Sequence, residues 1–288
     1  MSVKAQKINC PVCDASDFKV RLKSSPAGRI VHCKNCKVYY ANPRNIEDLI
    51  ETKEDGDKFK KLFADQIPEF PWRKKTFLDR LEKIEKHFPE KGRILDIGCY
   101  SGLFLWLAEI RGWETYGVEP TKAGAEFAKD VFNQKVVRGT LSDSDFAKES
   151  FDVITLFHTV EHLPNPKAVI KDALKLLKSG GMIFIETPDA GSVWFKILGR
   201  KWRQCIIDHF ILFNKKSLVK ILKEENMEIG KKKSVGRQVR LGLIDYRISQ
   251  YYSQLIGKII ERFLKLFRIK NKTVNINLGD VMWVEARK

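Results

Sequence analysis

The stretch Ile94-Leu95-Asp96-Ile97-Gly98-Cys99-Tyr100-Ser101-Gly102 is the part of the chain that points most directly to a fold. It begins as a short apolar strand and ends in a turn that contains two glycines. Gly98 lets the chain turn sharply and lets a ligand lie against the backbone. A helix is predicted after Gly102, and its first turn offers free backbone N–H groups and the positive end of a dipole. The stretch therefore predicts a ligand site at the end of a strand.

Strands and helices alternate along the chain on the C-terminal side of this stretch. Strands are predicted over residues 93–98, 115–119, 135–138, 151–157 and 182–186. Helices are predicted over residues 102–110, 122–132 and 166–178. Strands that are continuous apolar runs joined by helices indicate an α/β fold, a doubly wound parallel sheet covered on both faces. Ligands bind at the carboxyl ends of such strands, so the residues that do chemistry should follow strands.

An acidic residue ends the second strand of this pattern. Glu119 comes 21 residues after Gly98, where a carboxylate can accept hydrogen bonds from two ribose hydroxyls. A nicotinamide fingerprint would require glycine at two further positions, which Tyr100 and Leu103 occupy. The glycine turn and the acid together indicate a nucleoside-containing cofactor and disfavour a nicotinamide dinucleotide.

Several motifs, taken in order, resemble those of class I S-adenosylmethionine-dependent methyltransferases. Besides the opening stretch, they are Gly117-Val118-Glu119-Pro120, Phe151-Asp152-Val153-Ile154, Glu161-His162-Leu163-Pro164-Asn165-Pro166, Gly180-Gly181 and Glu186-Thr187-Pro188-Asp189. The resemblance covers about residues 75–230. It implies a Rossmann-like sheet of seven strands in which the last strand is antiparallel.

The resemblance also implies which residues bind S-adenosylmethionine. The methionine part would be held by Asp96, Gly98, Cys99, Tyr100 and Gly102. Glu119 would bind the ribose hydroxyls, and Thr140 and Leu141 would flank the adenine. His158, at the end of the fourth strand, would lie near the sulfonium. The chain departs from the family at Tyr100, where a second glycine is usual.

Four of the six cysteines form two C-x2-C pairs, Cys10 with Cys13 and Cys33 with Cys36, separated by 19 residues. Two such pairs present four thiolates to one tetrahedral ion, and two short strands predicted between them complete a zinc ribbon. Two disulfides are the alternative, which a cytosolic location disfavours. Four thiolates close the coordination shell, so we expect a structural zinc away from the chemistry that stabilises a very small core.

We expect three segments along the chain. Residues 1–44 form the zinc ribbon and residues 45–71 a charged linker. Residues 72–288 form the methyltransferase domain, which carries a basic amphipathic helical insertion at about residues 240–275.

A narrower likeness concerns the sugar C-methyltransferases, which also join an N-terminal zinc ribbon to this domain. In those enzymes a Tyr-x-Glu-His stretch supplies active-site groups, and the matching positions are Ile206, Asp208 and His209. The histidine is kept, the acid is shortened and the tyrosine is lost. The likeness implies that His209 is the catalytic base and that Asp208 orients it or binds substrate. We expect no counterpart of the long C-terminal substrate domain of those enzymes within these 288 residues.

Methyl transfer is an in-line displacement, so alignment of the reacting atoms is a large part of catalysis. A base is needed when the nucleophile carries a proton, and histidine suits that role near neutral pH. The candidates that follow strands or line the expected cleft are His158, Glu161, His162 and His209. For Glu161 and His162 the alternative is that they hydrogen-bond the loop after the fourth strand. For His209 the alternative is a buried histidine of the core.

Positive charge is concentrated in the last third of the chain. The net charge of +17 divides into +5 for residues 1–90, −2 for residues 91–190 and +14 for residues 191–288. A helix predicted over residues 247–268 has one apolar and one basic face. Such a helix suits a cap on its own domain or a homodimer contact. The alternatives are an anionic membrane interface and a polyanion such as RNA.

Composition excludes some classes of protein. Hydrophobic residues make up 43% and charged residues 31% of the 288 residues, which is typical of a globular protein. No apolar run approaches the ~18–20 residues of a membrane helix, and the start lacks a secretory segment. We expect a cytoplasmic protein, with membrane association through the 247–268 helix as the alternative.

These patterns predict an S-adenosylmethionine-dependent methyltransferase of a small molecule, such as a sugar nucleotide or a lipid-linked glycan precursor. One alternative is an RNA methyltransferase that docks through the ribbon and the basic C-terminal region. The acidic central region disfavours it, as does His158-Thr159-Val160-Glu161 in place of an Asn/Asp-Pro-Pro-aromatic motif. The other alternative is a non-catalytic cofactor-binding module, which Glu119 and the Gly98 turn disfavour.

Overall fold

The computed structural model describes residues 6–44, 70–251 and 253–288. Nearly all of the predicted 45–71 linker lies outside the described residues. The strands are, in chain order, β1 (Phe18–Leu22), β2 (Ile30–Cys33), β3 (Tyr39–Ala41), β4 (Arg93–Ile97), β5 (Glu114–Glu119), β6 (Val136–Arg138), β7 (Phe151–Phe157), β8 (Leu177–Pro188), β9 (Ile211–Leu212), β10 (Glu228–Ser234), β11 (Arg237–Arg240), β12 (Thr273–Ile276) and β13 (Val281–Arg287). The helices are α1 (Phe70–Glu85), α2 (Leu103–Ile110), α3 (Lys122–Phe132), α4 (Pro166–Leu176), α5 (Val193–Leu198), α6 (Lys215–Glu224), α7 (Gly242–Tyr251) and α8 (Gln254–Leu266).

Seven strands form the central sheet, in the order β10-β13-β8-β7-β4-β5-β6. Strands β4 to β8 run parallel, and β13 is antiparallel to both β8 and β10. The expected Rossmann-like sheet with an antiparallel last strand is confirmed. Adjacent residues of a strand point to opposite faces, and Val153 and Ile154 of β7 belong to separate buried clusters on the two faces. Both faces are therefore covered by helices, as the continuous apolar runs predict.

The N-terminal segment shares a sheet with the core. Strands β1, β2, β3 and β9 form a four-stranded sheet, in which Tyr39 pairs with Leu212 and Tyr40 with Ile211. The backbone N–H of Ala41 also donates to the carbonyl of Phe210 over 2.8 Å. Since β9 is only two residues long, the sequence pattern did not predict this pairing.

The predicted 247–268 helix is two helices in the structure, so that prediction is wrong in its continuity. Ser253 is extended, and its side chain accepts a hydrogen bond from the N–H of Ile256 at the start of α8. An N-cap at this position begins a new helix, although the apolar period continues across it. Strands β11 and β12 pair on either side of α7 and α8. Among the described residues, no helix has the length and apolar character needed to cross a bilayer.

The insertion lies at the edge of the sheet where the parallel strands end. Ser234, the last residue of β10, pairs with Met282, and Val281 pairs with Pro188 at the end of β8. The chain therefore leaves the sheet after β10 and returns at β13 on this carboxyl edge. The loops after β4, β5 and β7 open on the same edge.

Candidate active site

Glycine is required at two positions of the loop after β4, because of both the backbone conformation and the lack of space for a side chain. Gly98 has φ +79°, and a Cβ built on it would lie 2.5 Å from Oγ1 of Thr159. The loop after β4 therefore packs directly on the loop that follows β7. Gly102 has φ +73°, and a Cβ there would lie 2.7 Å from Cβ of Ala128.

Tyr100 adopts a left-handed backbone with φ +51° at the position where glycine is usual. This conformation costs about 1–2 kcal/mol for a residue with a side chain. Its N–H donates to Oε2 of Glu119 over 2.9 Å. The loop therefore keeps the backbone of a glycine turn and uses it to hold the carboxylate of the next strand.

Glu119 is buried at the end of β5. Its Oε1 accepts a hydrogen bond from the N–H of Thr121 over 2.9 Å, and its Oε2 accepts from Tyr100. A carboxylate offers about four acceptor sites, so Oε2 can accept a further hydroxyl. The side chain is thus fixed in place with acceptor capacity remaining.

Asp96 is buried beside this loop, and its Oδ1 accepts a hydrogen bond from Oγ1 of Thr155 over 2.7 Å. Burial raises the pKa of Asp96 to about 7, the hydrogen bond from Thr155 opposes this shift, and the nearby charge of Glu119 adds a smaller upward contribution. An adjacent cation would favour the ionised form. Asp96 is therefore suited to a positively charged ligand.

The other predicted cofactor residues occupy less direct positions. Cys99 is buried, and its Sγ lies under β5, 2.7 Å from where Gly117 would carry a Cβ. Thr140 begins a turn after β6 in which its N–H and hydroxyl both donate to Asp143 over 2.7 Å. Leu141 is buried in that turn. The side chains of Cys99 and Leu141 are therefore enclosed by the protein, whereas Thr140 is exposed.

His158 lies between two carboxylates. Its Nδ1 is 3.3 Å from Oε1 of Glu161 and its Nε2 is 3.3 Å from Oε1 of Glu186. Burial lowers the pKa of His158, but the hydrogen bonds and charges of both glutamates outweigh burial and raise it to about 9. The two carboxylates therefore favour the protonated form of His158, which makes it a weaker candidate for the base than a neutral histidine.

Glu161 is fully buried and connects the ends of β7 and β8. Its Oε2 accepts a hydrogen bond from Oγ1 of Thr187 over 2.8 Å. Burial raises the pKa of Glu161, but His158, His162 and His209 together lower it to about 2. Glu161 is therefore an ionised carboxylate. It both hydrogen-bonds Thr187 of β8 and provides negative charge beside the three histidines.

His209 and His162 face each other with ring centroids 4.7 Å apart. Nδ1 of His209 lies 2.8 Å from the carbonyl oxygen of Gln204, and Nδ1 of His162 lies 2.8 Å from that of Asp208. A carbonyl only accepts, so each Nδ1 carries the proton and each neutral ring keeps a lone pair on Nε2. Burial lowers the pKa of His209 to about 4, although the nearby carboxylate of Glu161 acts in the opposite direction.

The resemblance implied that Asp208 orients His209 or binds substrate. In the structure Asp208 contacts the other histidine of the pair. Its Oδ2 lies 3.5 Å from Nδ1 of His162, while Gln204 holds the ring of His209. One ligand atom from each of Glu161, His162 and His209 lies within 4.8 Å of the others. This cluster is compact enough to receive one proton-bearing hydroxyl or one cation.

Two residues of the site were assigned no role from the sequence, Arg80 and Glu186. Arg80 of α1 is buried and donates to Glu186 through Nε (2.5 Å) and Nη2 (3.1 Å). Burial raises the pKa of Glu186, but His158 and Arg80 lower it to about 2. The signal in the sequence was an arginine on the apolar face of α1, beside Leu81 and Ile84, which are both buried.

The four cysteines of the C-x2-C pairs converge at the base of the ribbon sheet. Their Sγ atoms all lie within 4.8 Å of one another, with 3.4 Å between Cys10 and Cys36 and 3.6 Å between Cys13 and Cys33. A tetrahedral ion with Zn–S bonds of about 2.3 Å places its sulfurs roughly 3.8 Å apart. The donor type and the spacing therefore fit one zinc ion.

The family model described as a methyltransferase domain matches residues 71–231, which is more than half of the chain. The ubiquinone biosynthesis O-methyltransferase of Idiomarina loihiensis is 36% identical over 120 residues, which cover 38% of this chain and 48% of that protein. The enzyme of the same name from Alkalilimnicola ehrlichii is 31% identical over 123 residues, which cover 39% and 49%. The chain spans about half the length of the curated relatives it matches.

Two solved structures share the fold. An S-adenosylmethionine-dependent methyltransferase from Thermotoga maritima superposes with a TM-score of 0.52 at 18% identity, covering 80% of this chain and 96% of that one. Another from Archaeoglobus fulgidus gives a TM-score of 0.51 at 21% identity, covering 77% and 98%. The chain therefore belongs to the methyltransferase-domain family, and its fold is that of class I S-adenosylmethionine-dependent methyltransferases.

Proposed function

We propose that the protein transfers a methyl group from S-adenosylmethionine to a hydroxyl oxygen of a small molecule. The observation that carries the proposal is the packing of the Gly98 loop on Thr159. This contact brings the loop suited to the cofactor against the loop that carries Glu161 and His162. The relatives are named for O-methylation in ubiquinone biosynthesis, which favours an oxygen nucleophile.

The residues at the ends of β4 and β5 fit the cofactor. Gly98 leaves room for a ligand against the backbone, and Glu119 is fixed with capacity for a ribose hydroxyl. Asp96 has a raised pKa that a cationic amino group would lower. S-adenosylmethionine supplies a methyl group already activated on a sulfonium. The task of the protein is then to align the acceptor and to receive its proton.

His209 is the base in this proposal. Its Nδ1 proton is held by the carbonyl of Gln204, so the lone pair is on Nε2. One ring nitrogen of His209 lies within 4.8 Å of ligand atoms of Glu161 and His162. A proton taken from the acceptor hydroxyl makes His209 an imidazolium within 4.8 Å of ionised Glu161. The imidazolium appears as the sulfonium charge disappears, so the net charge of the site stays constant. The low pKa of free His209 keeps the ring neutral at neutral pH.

We also infer that Cys10, Cys13, Cys33 and Cys36 bind one structural zinc. Four thiolates close the coordination shell and leave no position for substrate. The ribbon also contacts the active-site loops, because Arg44 donates to the carbonyl of Pro164 over 2.7 Å. The zinc would therefore stabilise the active-site loops through the ribbon without contacting the substrate.

The relatives favour O-methylation over the C-methylation suggested by the sugar-methyltransferase likeness, and no comparison supports a sugar-nucleotide acceptor. For RNA, the ribbon has its β3 edge paired with β9. This edge is therefore occupied by the core and is not available for docking a nucleic acid.

The test is methyl transfer from methyl-labelled S-adenosylmethionine to a cellular extract divided into small-molecule, RNA and protein fractions. We expect label in the small-molecule fraction, and none when Glu119→Ala replaces the parent at low cofactor concentration. Label confined to RNA, or no transfer despite cofactor binding, would overturn the proposal. Activity that is lost with a chelator and restored by Mg²⁺, a cation that prefers oxygen ligands and does not suit a four-thiolate site, would assign the Glu161, His162 and His209 cluster to metal binding instead of proton transfer.

A further inference from the structure

Exposed apolar side chains are concentrated on one part of the surface. Among the residues that the structure describes, the large apolar side chains that are exposed lie mostly within residues 193–278, and the exceptions are Val20, Ile110 and Val131. Contiguous exposed apolar surface on a water-soluble domain marks a contact site. The largest part of this surface belongs to α8.

Helix α8 presents its apolar face to solvent. Gly257 and Leu264 are buried against the rest of the protein. The apolar side chains that are 51–78% exposed are Leu255, Ile256, Ile259, Phe263, Leu266 and Phe267. At 100° per residue they share one face. A cap on its own domain, the first alternative from the sequence, would have buried this face.

The exposed apolar face has a basic border. Lys258, Arg262 and Lys265 are exposed on one side of it. The acid on this helix is Glu261, whose Oε1 lies 2.8 Å from Nζ of Lys270 and 3.0 Å from that of Lys265. An apolar face beside a basic border is the pattern of a helix that lies in a membrane interface.

The insertion is connected to the sheet at the edge on which the candidate active site opens. The insertion that carries α8 leaves and re-enters the sheet on the carboxyl edge. Nε1 of Trp194 on α5 donates to the carbonyl of Leu278 over 2.7 Å, which ties α5 to the insertion. Ile206 and Ile207, directly before Asp208 and His209, are exposed. The segments that carry these exposed apolar side chains are therefore attached near the edge that holds the site.

We propose that the exposed face of α8 docks the protein on an anionic membrane surface, with the active-site edge toward the bilayer. The apolar side chains enter the interface, and Lys258, Arg262 and Lys265 meet the lipid phosphates. A two-fold contact with a second copy would bury the face against itself and leave both basic borders without an acidic partner. RNA would engage the lysines and arginines but not the aliphatic and phenylalanine side chains.

The test is co-sedimentation of the full chain with vesicles of phosphatidylcholine alone and with added phosphatidylglycerol. We expect binding to the anionic vesicles that weakens as salt is raised, because the Debye length shortens. Replacing Lys258 and Arg262 by glutamine should weaken this binding about fivefold for each charge removed. Equal affinity for both kinds of vesicle, or no binding to either, would overturn the proposal.

A matched pair of variants distinguishes docking through α8 from nonspecific hydrophobic adsorption to vesicles. Ile259→Asp with Phe263→Asp should lower vesicle binding about tenfold or more and leave the melting temperature unchanged, since both side chains are exposed. Ile110→Asp is the control, because Ile110 is 64% exposed at the opposite edge of the sheet, at the end of α2. Equal loss in both variants would refute docking through α8. Dimers that only the α8 variant dissociates, or RNA binding that competes with vesicles, would assign the face to a different partner.

Discussion

Asp96 gives the site a dependence on pH at the scale of a single residue. Its pKa of about 7 leaves it half protonated at neutral pH, and a bound cation stabilises the ionised form. Cofactor affinity should therefore rise with pH, by about fivefold between pH 6 and pH 7 if only the ionised form binds. Calorimetry of S-adenosylmethionine binding at several pH values measures this change. Asp96→Asn should lose it, and an identical pH profile in both proteins would argue against a contact between Asp96 and the cofactor.

Glu119 should contribute to cofactor affinity through its fixed carboxylate. Glu119→Ala should weaken S-adenosylmethionine binding by about 1–3 kcal/mol, the cost of losing a charged hydrogen-bond partner. Calorimetry against the parent measures the difference. Glu126→Ala is a suitable comparison, because Glu126 is an exposed acid of α3 that lies 3.8 Å from Lys122 and has no assigned role in the site. Unchanged affinity in Glu119→Ala would remove Glu119 from the ribose site.

His209 should affect the chemical step and not cofactor binding. His209→Asn should lower turnover by ~10²–10⁴, the usual contribution of a general base, with nearly unchanged cofactor affinity. Turnover, cofactor affinity and melting temperature are measured on the same sample. A residue that only fills the core would instead lose activity in proportion to unfolding. A stable and fully active variant would move the base assignment to His162, since the two carboxylates favour the protonated form of His158.

The ribbon acts at the scale of an element. Its strand β3 pairs with β9, two residues after His209, and Arg44 contacts the loop that follows His162. Chelation of the metal, or Cys36→Ser, should therefore reduce turnover more than cofactor affinity, because Gly98 and Glu119 lie on other strands. Metal analysis should give about one zinc per chain. A metal-free protein with full activity would show that the ribbon does not support the site.

Elements with a strong local pattern could be predicted, and long-range ones could not. Strands β4, β7 and β8 are buried on both faces, so they appear in the sequence as continuous apolar runs. Strand β9 is two residues long and depends on a partner far away in the chain. The break between α7 and α8 was missed because the apolar period crosses Ser253, where a cap decides the geometry.

The same distinction applies to the active site, where locally spaced residues could be predicted and long-range contacts could not. The Gly98 turn and Glu119 follow strands, and local spacing is enough to find them. The assignment of Gln204 to His209 and of Asp208 to His162 depends on how a loop folds back, which no spacing encodes. The charged state of His158 depends on Glu186 of β8 and on Glu161 of the turn after β7, which approach it from two parts of the chain.

At the scale of the whole molecule, the proposed functional elements are connected to the carboxyl edge of the parallel strands. The Gly98 loop, the Glu119 carboxylate and the histidine cluster open on it, the ribbon braces it, and α8 lies beside it. This arrangement predicts a single acceptor pocket in which an activated methyl group meets a hydroxyl held near His209.

The most direct test is the identity of the atom that receives the methyl group. The protein is incubated with S-adenosylmethionine carrying a 13C-methyl group and with the small-molecule fraction of an extract. Carbon NMR of the purified product then shows what the label is bonded to. We predict a methyl group on oxygen, formed by the parent and strongly reduced by His209→Asn. A methyl group on carbon, or no labelled small molecule, would contradict the proposed function.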